Sequence, residues 1–85
     1  MLLCMNEQLY RQFLKPKLKP DSVTSYVSYL GRLERELHID CDKADLSELG
    51  LRNIERRFAA LGTAERSVKN CMSAARQYAA LRGFR

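Results

Sequence analysis

Histidine is nearly missing from this chain: His38 stands alone among 85 residues. No carboxylate pair and no nucleophile set beside a base accompanies it, so the sequence offers no constellation for catalysis. Cysteine is scarce as well. Cys4, Cys41 and Cys71 are odd in number and never spaced as CxxC, which excludes a disulfide framework and points to a reducing compartment. Four glycines are too scattered to make a phosphate-cradling loop. No apolar run approaches the length that spans a bilayer, and MLLCMNEQ is too short and lacks the small-residue cleavage site of a signal peptide. No segment alternates as a strand, nothing repeats, and no tract is of low complexity. These absences leave a small helical protein, read as cytosolic, in a bacterium or carried by a phage or mobile element.

The length fits one domain, and 46% hydrophobic residues suffice for a modest core. Fifteen Lys and Arg against ten Asp and Glu give a net charge of +5, a balance that suits a polyanion or simple solubility.

The stretch Thr63–Gly83 organises the rest. Val68, Cys71, Met72, Ala75, Tyr78, Ala79 and Leu81 recur three and four apart, while Arg66, Lys69, Ser73, Arg76 and Ala80 follow the same spacing on another side. Thr63 is the expected N-cap, Gly83 the expected C′ residue, and Phe84 folds back on the last turn. Upstream, the pattern predicts a helix over 6–14 that Asn6 caps, with Leu9, Phe13 and either Met5 or Tyr10 facing inward. Two prolines in KPKLKP end it. That connection carries Lys15, Lys17 and Lys19 and no acid.

A second helix, 20–37, opens on Pro20 and Asp21 and keeps Val23, Tyr26, Val27, Leu30, Leu33 and Leu37 on one side. Gly31 interrupts it, as a close helix crossing would require. The acidic connector HIDCDKA follows. Asp45 and Glu48 have capping-box spacing for a third helix, 46–61, lined by Leu46, Leu49, Leu51, Ile54, Phe58 and Leu61. Gly50 implies a short turn before its main run from Leu51, and Gly62 ends it. The fourth helix covers 64–82.

Two stretches then carry a family likeness. Ser22, Val23, Thr24 and Tyr26 open one helix. Ser67, Asn70, Met72, Ser73, Ala74, Ala75, Arg76, Tyr78 and Gly83 follow in order along another. Over Lys15–Phe84 the chain resembles the core-binding domain of phage integrases and other tyrosine recombinases. The resemblance implies an all-α, four-helix, SAM-like orthogonal bundle that grips one side of double-stranded DNA, with a catalytic domain or other protomers as further partners. It also implies that Lys17, Lys19, Ser22, Thr24, Ser25, Arg66, Lys69, Asn70 and Arg76 contact DNA. Lys15 joins them from the same acid-free loop. Short hydroxyls and free N–H groups at a helix start suit phosphate oxygens.

Recombinase catalysis in that family needs a tyrosine nucleophile with arginines and histidines from a second domain. One histidine and no HxxR make strand transfer by this chain untenable, so a non-catalytic role is expected, with no cofactor and no small-molecule substrate. Two other readings use the same residues: a helical protein-interaction module or phage-borne inhibitor, and the DNA-binding adaptor of a larger nuclease. His38, Asp40, Cys41, Asp42 and Asp45 match no zinc or EF-hand spacing and read as a capping connector. Cys71 reads as a small core residue. Tyr26, Tyr29 and Tyr78 read as packing residues with a hydroxyl at the rim.

Overall fold

The computed structural model describes residues 5–84, so Cys4 lies outside the described residues. It contains four helices: α1 (Glu7–Leu14), α2 (Pro20–Leu37), α3 (Glu48–Ala60) and α4 (Glu65–Leu81). No strand occurs among the described residues, and the chain is an all-α, four-helix bundle.

Local chemistry sets most of the boundaries. The Asn6 side chain accepts the Leu9 N–H at 3.1 Å and caps α1 as expected. Pro20 begins α2 with Asp21 in its first turn. At the end of α4, Gly83 sits at φ +88°, its N–H bonds the Ala80 carbonyl, and the Phe84 N–H reaches Ala79 O at 2.9 Å. These are the two bonds of a Schellman closure. Gly62, at φ +84°, ends α3.

Four expectations need correction. Thr63 does not cap α4: the N-cap position is Ala64, and no side chain caps that end. Glu65 then supplies the favourable charge in the first turn. Asp45 does not cap α3 either. It accepts the Ser47 N–H at 2.9 Å, and Ser47 is the cap, taking the Gly50 N–H on its Oγ at 3.2 Å. The Ser47 hydroxyl and then its N–H hold the Asp45 carboxyl below the ordinary carboxylate range.

Gly50, third, does not separate a short turn from a main run. It lies inside one continuous helix because the Asp45 carbonyl packs on it: a Cβ there would fall 2.7 Å from the Asp45 carbonyl carbon. Fourth, Leu9, Leu49 and Leu61 are exposed rather than in the core, at 47%, 67% and 56%. In α1 the buried face turns to Tyr10 and Leu14, because the Tyr10 hydroxyl finds a buried acceptor.

α4 is the central helix. Its buried side is Val68, Cys71, Met72, Ala74, Ala75, Tyr78 and Ala79, mostly small residues that let all three other helices approach. Cys71 is buried as expected, and Tyr78 is buried completely rather than at the rim. Burial pushes the Cys71 thiol up.

Tyr10 O–H donates to Ala74 O at 2.7 Å, and its ring meets that of Tyr78 edge-on at 5.0 Å. The Tyr78 hydroxyl donates to Asp42 and accepts the Asn6 N–H at 2.9 Å. Asn6 beside Tyr78 and Tyr10 beside Ala74 make α1 antiparallel to α4. α2 runs the same way as α4: Arg32 and Glu36 adjoin Cys71, and beyond α2 the Cys41 and Ala44 carbonyls meet Arg82. One pole of the bundle therefore holds the 15–19 connection and the starts of α2 and α4. The other holds Asn6, the acidic connector and the end of α4.

Burial pushes the Tyr10 and Tyr78 hydroxyls and the Cys41 thiol far above their ordinary values of 10.0 and 9.0. Desolvation is the first cause in each, with the Asp42 bond adding to it at Tyr78 and the nearby Glu34 carboxylate at Cys41. A raised folded-state value means these groups support the fold while protonated. That support is intact below the unfolded values and is lost as pH climbs past them. The melting temperature is therefore expected to fall once pH exceeds about 9, with tyrosinate absorbance from Tyr10 and Tyr78 appearing together with loss of helix. Calorimetry and absorbance over an alkaline series check this.

Candidate nucleic-acid interface

The outer side of α4 presents Arg66, Lys69 and Arg76 to solvent, with half-buried Ser73 between them. Ten residues separate the first from the last, so the cations span about 15 Å along the axis. None of the three makes a hydrogen bond or ion pair to another described residue. Many other arginines are committed. Arg11 binds Glu7 at 2.8 Å, Arg32 binds Glu36 at 2.6 Å, and Arg52 reaches Glu48 at 3.6 Å. Arg57 donates to Leu37 O at 3.2 Å. Arg82 donates to both Cys41 O and Ala44 O, at 2.7 and 2.6 Å. Arg35, Lys43 and Arg56 are exposed and, among the described residues, likewise without a partner. The α4 cations differ from these in forming a regular row on one helix.

The remaining site residues lie at the pole where α4 begins. Lys15, Lys17, Lys19 and Thr24 are exposed, while Ser22 and Ser25 are half-buried in the first turns of α2. No side chain caps α2, because Lys19 occupies the N-cap position; Pro20 brings no N–H, so the Asp21 and Ser22 N–H groups are left to meet an anion, beside the Asp21 carboxylate. The lysines splay. The Lys17 ammonium lies over the Phe13 ring, 4.0 Å from its centroid. Lys15 instead lines a groove between α1 and α2, as Thr24 does.

Asn70 is half-buried and lies one turn before Ala74, on the side of α4 nearest α1. Arg76 is nearly three turns beyond Arg66. It lines a second groove, between α3 and α4, together with Glu48 and Arg52. The two grooves share no residue. The fold thus gathers the loop, the start of α2, Arg66, Lys69 and Asn70 at one pole, and sets Arg76 apart beside α3. Carboxylates border the face at Asp21, Glu48 and Glu65.

Three residues that matter to this geometry escaped the sequence reading. Arg82 stands at the C-cap of α4, and nothing in the sequence signals that its acceptors are Cys41 O and Ala44 O on the connector. Its two bonds pin the acidic connector to the pole away from Arg66 and Lys69. Glu34 was not readable: a glutamate in a helical pattern reads as solvated, yet this one is buried. Its Oε2 accepts the Cys41 N–H at 2.9 Å and fixes the turn after α2, while its Oε1 has no partner among the described residues. His38, third, takes a left-handed conformation, φ 55°, that glycine adopts more readily.

Among the described residues no group of three or more His, Cys, Asp or Glu side chains is placed to hold a metal ion. No helix among them is long and apolar enough to cross a membrane. No protein-family model, no curated protein and no solved structure matches the chain.

Proposed function

We propose that the chain is a double-stranded-DNA-binding domain with no chemistry of its own, the role implied by its resemblance to integrase core-binding domains. The observation that carries this reading is the row of exposed, unpartnered cations on α4, in a protein that ties up many of its other arginines internally. The open start of α2, with Ser22, Thr24 and Ser25 in its first turns, supplies hydroxyls and N–H groups for phosphate oxygens at the same pole. The acidic connector, held at the other pole by Arg82 and Tyr78, orients the domain by charge. In this reading any strand transfer belongs to a separate domain.

Affinity for a duplex of arbitrary sequence should fall steeply with salt. Three α4 cations neutralising phosphates predict a log–log slope of about −3 or steeper. Fluorescence anisotropy across a salt series measures it. A flat dependence, or amide shifts that avoid α4 and the start of α2, would remove the proposal.

A further inference from the structure

We propose that the groove between α1 and α2 docks an acidic amphipathic helical segment of a partner protein. The groove has a volume of about 570 Å³, within the range of roughly 300–1,000 Å³ typical of ligand clefts. Leu18, Pro20 and Val23 give it an apolar floor. Water gains nothing there, and a phosphodiester chain would leave that floor wet, whereas a leucine or phenylalanine would bury it.

The walls carry charge of one sign. Arg11 and Lys15 line the groove and no carboxylate does. Arg11 already holds Glu7, so Lys15 is the uncommitted cation and the one that selects an acidic partner. Gln8 and Gln12 stand one turn apart on the α1 wall, opposite Thr24, and offer donors and acceptors along the occupant's edge.

Shape points to a helix. α1 has eight residues, about 12 Å of length. A wall of that size seats two turns of a helix whose large apolar residues recur three or four apart, with Asp or Glu flanking them. This surface shares no residue with the α3–α4 groove that Arg76 lines, but it shares Lys15 and Thr24 with the pole assigned to DNA, so peptide and duplex would compete there.

Panning a phage-displayed random peptide library against the full chain tests it. Survivors should pair large apolar residues at helical spacing with flanking acids, and should shift the amides of Gln8, Gln12 and Thr24. Lys15→Glu should weaken them by about tenfold. Thr24→Glu, at an exposed position within a helix that tolerates glutamate well, should do the same if Lys15→Glu disturbs the end of α1. Lys69→Glu should leave peptide binding unchanged. An absence of survivors, survivors without acidic bias, or equal binding to both groove variants would overturn the proposal. So would a DNA duplex that shifts the amides of Gln8 and Gln12, which lie outside the DNA interface, as strongly as the selected peptides do.

Discussion

Exchanging Lys69 and Arg76 for glutamate together should lower affinity for duplex DNA by about a hundredfold at roughly 0.1 M salt, while helix content stays the same. Each phosphate deprived of its cation takes about 0.9 from the log–log salt slope, which at that salt is close to tenfold in affinity. The double variant should therefore show a slope shallower by about 2. Both side chains are exposed and make no bond that the fold needs, so circular dichroism should match the parent. The neighbouring carboxylates sharpen the test. Glu48 shares the α3–α4 groove with Arg76, and Glu65 lies four residues before Lys69, so each introduced glutamate joins an acid already present. Unchanged affinity would remove α4 from the interface and leave only the lysine-rich loop.

Gly50→Ala is the substitution expected to damage the fold most for its size. One methyl group would collide with the backbone carbonyl of Asp45. That carbonyl cannot swing away freely, because the Asp45 side chain holds the Ser47 N–H and Ser47 holds Gly50. Arg82 fixes the chain just before, at Ala44 O. Relief therefore requires either the cap of α3 or the connector to give way. A destabilisation of about 3 kcal/mol, the upper part of the usual overpacking range, is expected. Urea unfolding measures it. A loss within experimental error would mean that the connector does not press on α3 as described. Alanine in an open helix interior normally stabilises relative to glycine by up to about 1 kcal/mol, so even the sign of the change is informative.

The contrast at Gly50 shows where sequence reasoning succeeds and where it stops. Helix periodicity, two prolines and the terminal glycines were enough for four helices and for the ends of α1 and α2, because those signals are local. At Gly50 the glycine was visible but its reason was not: it accommodates a backbone carbonyl brought there by a loop. Thr63 and Asp45 had the right chemistry for caps, yet the chain enters α4 and α3 one or two residues later, where Ala64 and Ser47 stand.

The pattern set Leu9 and Phe13 inward with either Met5 or Tyr10, since hydrophobicity alone favours the leucine, yet Leu9 is exposed and Tyr10 buried. A buried carbonyl on α4, 64 residues away, favours the tyrosine. The candidate interface was legible to a similar degree. Spacing on one helix placed Arg66, Lys69 and Arg76 in a row, but whether a cation already has an acidic or carbonyl partner depends on neighbours distant in sequence. Arg82 and Arg76 read alike in the sequence, and in the fold one is an internal clamp while the other is free.

Tyr78 binds Asn6 near the start of the chain and Asp42 in its middle through one hydroxyl, and Arg82 holds the same connector near the end. Asn6 and the last turns of α4 are thereby lashed to one another, and neither can peel off without breaking bonds that also secure the other. Slow amide exchange should accordingly reach Asn6 and the end of α4, and earlier breathing among the described residues falls to the proline-broken lysine connection on the far side, the segment most in need of freedom if it is to mould itself to a partner.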